Sequence, residues 1–267
     1  MHSFPVFALI SITGLTLGSC ICFVVWLVCS YEFSFDTFHP NRDRIYRLTS
    51  RTDHGGYSLR HPVVLAPVPA ALRKKISGVD VITDISPYNG KPAIRSPGGP
   101  LHEFDDGMIV ITDPQYFTIF QYDWLTGNPT AAMTDPFHVV LTESRARQYF
   151  GSASPEQWLG KEVIYEEDSL RVTVSGIVRD WKGNTDFPFT DFISFGTMKS
   201  SGYLNRVYRP EDWQLTHHPG IWCFALLSKR TPPARIDAQL QELATADPDP
   251  VWDCSGPPFL SPKSLPC

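Results

Sequence analysis

The chain has 267 residues, and 23 Lys+Arg against 28 Asp+Glu leave a formal net charge of −5. That balance excludes a basic nucleic-acid binder, which needs cations to neutralise phosphates. A hydrophobic share of 42% with 13% aromatics excludes global disorder, and 24 prolines imply many turns and edge strands.

The first element is apolar on all sides. No charged side chain occurs from Ser3 to Tyr31, and Phe4–Cys29 is built of Ile, Leu, Val, Phe, Trp and small residues. At about 1.5 Å per residue a helix of that length covers roughly 39 Å, enough to cross a hydrocarbon core about 30 Å thick. A cleaved signal peptide would carry a positive n-region, but only His2 and the amino terminus precede the run. Leu17-Gly18-Ser19-Cys20 loosely resembles a lipoprotein cleavage box, yet Ile21–Val28 stays apolar where a lipidated product turns polar. A core helix would show a polar stripe. The run therefore reads as a membrane helix, continuing to about Phe38 and stopping before Pro40. Gly14 and Gly18 form a G-x-x-x-G spacing. It suits close approach of another membrane helix, and it also fits the ordinary abundance of Gly in such helices.

The remainder alternates short strands and helices. Arg44–Thr49 reads as a strand, His61–Lys75 as a helix crowded by Pro62, Pro67 and Pro69, and Val79–Ser86 and Met108–Thr112 as strands. Asp113 is placed to cap a helix through Phe120, with Pro114 in its first turn. His138–Leu141 is an apolar strand, Thr142 caps Glu143–Phe150, and Gly151 ends that helix. Lys161–Tyr165 and Leu170–Val178 form a hairpin, Phe192–Phe195 and Ile221–Ser228 are strands, and Ala234–Thr245 is an amphipathic helix. The pattern predicts an α+β fold: one N-terminal transmembrane helix with its extension (4–38), then a mixed α/β extracytoplasmic core domain (39–246). The proline-punctuated tail, 247–267, shows no periodicity and is expected to be disordered. Ile119, Phe120, Val139, Val140, Leu141, Tyr149, Phe150, Val174 and Ile177 are expected in the core.

No catalytic constellation emerges. Cys20, Cys22 and Cys29 lie in the apolar run, Cys223 in a strand, and Cys254 and Cys267 in the tail, with no C-x-x-C. His217 and His218 adjoin, but neighbours on a strand point to opposite faces. Glu103, Asp105 and Asp106 read as a solvated turn. Gly160-Lys161 is followed by Glu162, so no phosphate loop forms, and neither G-x-S-x-G nor H-E-x-x-H occurs. No catalytic, cofactor or metal residue is assigned.

Several segments taken in order resemble the MacB/FtsX-like ABC transporter permeases. The first helix carries Gly14-Leu15-Thr16-Leu17-Gly18, like the G-L-x-x-G of that family. Glu32-Phe33-Ser34-Phe35-Asp36-Thr37-Phe38-His39 resembles E-x-S-x-D-x-F-H, and Arg44-Ile45-Tyr46-Arg47 follows. Asp113–Phe120 and Gly127-Asn128-Pro129 resemble the core domain's D-x-x-Y/F-F-x-I-F and its turn. Val139–Gly151 fits V-V-L-T-E-S-x-A-x-x-Y-F-G, and Leu159–Lys161 and Val172–Asp180 complete the series.

The resemblance implies a non-catalytic permease subunit in the bacterial plasma (inner) membrane, its large domain extracytoplasmic, with membrane lipid around the helix. It implies a separate ATP-binding subunit, a second permease copy or homologue, and a periplasmic membrane-fusion partner. No cofactor and no nucleic acid are implied. Such permeases carry at least three further membrane helices after the periplasmic domain, and a second apolar run of 18 or more residues is not found here. The expectation is a fragment or a disrupted reading frame, and the alternative is a single-helix membrane-anchored binding or adaptor module. Charge opposes the implied topology: Arg42, Arg44 and Arg47 follow the helix and nothing basic precedes it, which the positive-inside rule reads as cytoplasmic. The resemblance is followed here.

Overall fold

A computed structural model describes residues 4–54, 57–65, 67–95, 100–105, 107–165, 170–208, 221–246 and 260–262. The chain divides into two units. One comprises the residues up to Phe38 with Trp181–Asp186, the other His39–Asp180 and the residues from Phe187 onward.

The first unit is built on α1 (Phe4–Glu32), a continuous helix whose described side chains are exposed throughout. The helix ends six residues earlier than predicted. Phe33 still donates to Cys29 O, but Ser34 N–H and Oγ–H both turn back to Tyr31 O. Asp36 then adopts a left-handed backbone (φ 55), which Asp tolerates better than most residues, and no helix passes through it. Its N–H leaves the helical ladder and donates to Asn184 O at 2.9 Å.

The second unit begins with β1 (Ile45–Leu48), the hairpin β2 (Ser50–His54) and β3 (Tyr57–His61), then α2 (Val68–Lys75) and β4 (Val79–Tyr88). β5 (Pro92–Arg95), β6 (Leu101–Glu103), β7 (Ile109–Thr112), α3 (Pro114–Phe120), β8 (Trp124–Thr126) and α4 (Pro129–Met133) follow. Then come β9 (His138–Thr142), α5 (Glu143–Phe150), α6 (Pro155–Trp158), β10 (Glu162–Tyr165) and β11 (Leu170–Val178). β12 (Asp191–Ser194), α7 (Gly196–Ser200), α8 (Gly202–Tyr208), β13 (Trp222–Leu227), α9 (Pro233–Ala246) and β14 (Leu260–Pro262) complete it.

Twelve strands form one mixed sheet in the order β14-β1-β13-β4-β7-β12-β9-β11-β10-β5-β6, with β8 added on β11. β7 with β12 and β9 with β11 run parallel, and the other pairs are antiparallel. Strand periodicity of two sorts side chains between the faces. Ile109, Ile111, Val139, Leu141 and Ile193 lie in one cluster with Ala146, Tyr149, Met198 and Leu204 of the helices. Cys223, Ala225 and Leu227 join Val68, Leu72, Ile236 and Leu240 of α2 and α9 in another. The residues between them face the other way: Phe192 meets Tyr116 and Phe117 of α3 at 5.4 and 5.2 Å, and Phe224 meets Phe120 at 5.7 Å. Of the nine core residues expected from sequence, all but the half-buried Phe150 are buried. Each such burial is worth about 1.5–3 kcal/mol.

Two readings shift. The helix predicted over His61–Lys75 starts only at Val68, because Pro62 disfavours helical backbone at His61 before it. His61 ends β3 and Val64 bridges Ile221. In the tail, Leu260–Pro262 pairs with β1 where no regular structure was expected. An edge strand offers unpaired backbone groups that need no side-chain periodicity to recruit a partner. The rest of the tail lies outside the described residues.

Candidate functional site

The sequence singled out Gly14 and Gly18, which lie one helical turn apart on α1. A Cβ added to either meets nothing within 4 Å. Around them Thr13 and Thr16 return their hydroxyls to Leu9 O and Ile12 O at 2.7 Å, which satisfies those two side chains within the helix. α1 is the one helix among the described residues that is long and apolar enough to cross a membrane. Cys20, Cys22 and Cys29 are exposed on it, whereas Cys223 is buried and its thiol is pushed up by burial, which makes it inert. Cys254, Cys267, His217, His218 and Asp106 lie outside the described residues.

The motif after the helix is a clasp within the first unit. Asp36 is buried, and its carboxylate accepts from Thr185 Oγ1 at 2.7 Å and from Asp186 N at 3.4 Å. Asn184 Nδ2 donates to Ser34 Oγ at 2.7 Å, and the rings of Phe38 and Trp181 lie 4.7 Å apart. Ser34, Asp36 and Phe38, every second residue, thus hold Trp181–Asp186. A Cβ on Gly183 would meet the Phe38 ring at 2.7 Å, so only glycine lets that loop lie so close.

In the second unit the motif residues hold the fold together. Asp180 accepts from Ser144 N at 2.9 Å and from Ser144 Oγ at 2.5 Å. The expected cap, Thr142, makes no side-chain cap bond, and the carboxylate from the end of β11 takes over that duty. Asn128 caps α4 by accepting from Ala131 N.

Two buried carboxylate clusters were not foreseen. In the first, Asp191 is fully buried and accepts from Tyr149, Tyr165, Thr190 and Arg145 at 2.6, 2.7, 2.8 and 3.1 Å. Arg145 also donates to Gln148 Oε1 and Asp105 O, and lies over the Tyr149 ring. Burial, then the Asp191 charge, raise both tyrosine hydroxyls far above their ordinary range.

The second cluster follows from register. β4 and β7 pair Ile85 with Thr112, so one further step sets Asp84 beside Asp113, with Cys223 opposite Asp84 on β13. Arg73 of α2 serves both acids, donating to Asp113 Oδ2 at 2.6 Å and Asp84 Oδ2 at 3.2 Å. Thr83 Oγ1 donates to Asp113 Oδ1 at 2.6 Å. Asp113 occupies the N-cap position of α3, but its carboxylate makes no cap bond, a correction to the sequence reading. Asp84 Oδ1 lies 3.1 Å from Arg73 Nη2, yet off the direction a hydrogen bond needs, so it has an ion-pair contact and no hydrogen bond. Burial, then the charge of Asp113, push the Asp84 carboxyl up to about 7, and burial raises that of Asp113. A charged residue inside an apolar strand (Val79–Ser86) was the available signal for this site.

These geometries describe a membrane helix, a clasp and a sheet domain whose described polar clusters are internal. The model of the MacB-like periplasmic core domain family matches residues 8–243. The chain belongs to that family, a domain of ABC-transporter permeases, and is membrane-anchored with its domain outside the cytoplasm. Among solved structures, a domain of a protein described as a permease from Porphyromonas gingivalis is 21% identical, with a TM-score of 0.61 over 79% of this chain and 87% of that one. The periplasmic region of MacB from Actinobacillus actinomycetemcomitans is 17% identical, with a TM-score of 0.52 over 76% and 84%. These likenesses support the fold. Comparison with curated proteins gave no match.

Proposed function

We propose that this chain is the permease subunit, or a truncated remnant, of a MacB/FtsX-like ABC transporter in the bacterial inner membrane. It performs no chemistry itself. A separate ATP-binding subunit hydrolyses ATP, and paired permease helices carry the motion to the extracytoplasmic domain, which acts on cargo or on a periplasmic fusion partner. The functional division is 4–38 for the transmembrane helix and its extension, 39–246 for the core domain and 247–267 for the tail. The observation that carries this reading is one uninterrupted family match running from α1 through α9.

The Asp36 clasp supports it, because the helix end is bonded to a loop whose chain continues into β11 on one side and β12 on the other. Gly14 and Gly18 are the proposed helix-packing residues. In lipid, association depends on close approach of backbones, so larger side chains separate them.

The test is purification of the chain with and without an ATP-binding subunit of a MacB-type transporter from the same genome. ATPase activity is expected only with that subunit, and hydrolysis by the chain alone, lost on a point mutation, would overturn the assignment. In a membrane dimerisation assay Gly14→Ile and Gly18→Ile are expected to weaken association several-fold. Unchanged association in both variants removes the packing role.

A further inference from the structure

The chain is acidic as a whole, but one end of the sheet reverses the sign. There the turn Arg42–Arg44, the start of β4, the end of β13, the end of α2 and the start of α9 converge, and they are bonded together. Arg44 Nη1 donates to Leu227 O at 2.8 Å and to Asp80 Oδ2 at 3.1 Å. Asp80 also accepts from Ser228 Oγ, Ser228 N donates to Gly78 O, and Ser77 N donates to Gln239 Oε1. This brings Arg42, Lys74, Lys75, Lys229, Arg230 and Arg235 to one end of the domain, all exposed.

Among the described residues three carboxylates share that end. Asp80 is engaged by Arg44 and Ser228, Asp43 is exposed 3.6 Å from Arg42, and Asp237 lies on α9. Among the described residues no carboxylate lies within ion-pair distance of Lys74, Lys75, Lys229 or Arg230. Among the described residues these four cations therefore have no ion-pair partner.

Position selects the partner. Arg42 follows the last residue of α1 by ten residues, and ten residues span at most about 35 Å when fully extended. A tether of that length leaves the surface of the bilayer that α1 crosses within reach of Arg42. Half of the six exposed cations are lysines, whose ammonium groups are flexible point charges suited to a layer of laterally mobile phosphates. Basic residues near an anionic leaflet are attracted over about one Debye length, roughly 8–10 Å.

We infer that this end of the domain is a docking surface for anionic phospholipid headgroups of the bilayer that α1 spans. The inference rests on the membrane-anchored reading. It gives the cations that follow α1 a use on the outer side of the membrane, where the positive-inside rule does not place them.

The test uses the full chain in vesicles of phosphatidylcholine with or without phosphatidylglycerol, floated after a carbonate wash. A membrane-impermeant amine-acylating reagent is added and labelling is read by mass spectrometry. Relative to Lys161 and Lys199, labelling of Lys74, Lys75 and Lys229 is expected to fall several-fold with phosphatidylglycerol and to recover at high salt. Lys229→Glu with Arg230→Glu, in a chain of unchanged circular dichroism, is expected to restore labelling of Lys74 and Lys75. Equal labelling in both vesicle types overturns the inference. So does protection by inorganic phosphate over phosphatidylcholine alone, which marks a soluble-anion surface. A chain that fails to float overturns the anchored reading, and this inference with it, by a separate readout.

Discussion

The two buried carboxylate clusters lie in one sheet and differ in accounting. Around Asp191 a single carboxylate receives three hydroxyls and a guanidinium, so both oxygens are satisfied. Around Arg73 one guanidinium serves two carboxylates, and Asp84 Oδ1 has no hydrogen bond. Burial costs both, but only the first is compensated in full. The difference teaches that a charged residue in the middle of a strand can be a rigid keystone or a site that prefers to hold a proton, depending on how many donors its neighbours supply.

The largest expected effect breaks the first cluster. Asp191→Ala leaves Arg145 buried without its carboxylate and two tyrosine hydroxyls without an acceptor, and is expected to cost about 3–5 kcal/mol. Denaturant unfolding of the full chain in detergent measures it, and a loss below about 1 kcal/mol would mean water or a rearranged side chain replaces the carboxylate.

The second effect has the opposite sign. The folded Asp84 carboxyl, near 7, holds its proton more tightly than the unfolded one, near 3.8. The folded state therefore binds more protons between those values, and its stability falls as pH rises through that window. Asp84→Asn removes this penalty while keeping an acceptor for Arg73. It is expected to stabilise the domain at pH 8 by about 2 kcal/mol and to flatten the profile between pH 4 and 7. A variant less stable than the parent at pH 8 would show that Asp84 is charged and fully paired.

Smaller changes sharpen the contrast. Tyr165→Phe deletes one of four donors to Asp191 and is expected to cost about 1.5 kcal/mol, with little dependence on pH below 9. Ser144→Ala removes one of its two bonds to Asp180 and is expected to cost about 1 kcal/mol, read by the same unfolding assay.

Much of the sheet was legible because its strands alternate cleanly: Val139, Val140 and Leu141 divide between two faces as their period requires. The helix-breaking role of Asp36 was not legible, since its left-handed backbone is held by Thr185 and Asn184, about 150 residues away. The shared guanidinium was hidden for the same reason. Arg73 reads as one of three basic residues ending a helix, and only the β4–β7 register reveals what it faces. Lys74 and Lys75, adjacent in that run, turn outward instead.

The pairing of β1 with β13 has a consequence for how the chain is made. Ile45 and Leu226 are partners across about 180 residues. At about 5–20 residues per second, ribosomes need roughly 10–35 s to supply the second strand after the first. Throughout that interval α1 is available for insertion while β1 lacks β13, whose Phe224 and Cys223 pair with Arg47 and Leu48. The domain cannot close vectorially from its N-terminus, so its sheet is completed only after nearly all of it has been translated. Conditions that slow elongation are therefore expected to prolong an open, protease-sensitive intermediate held at the membrane by its first helix.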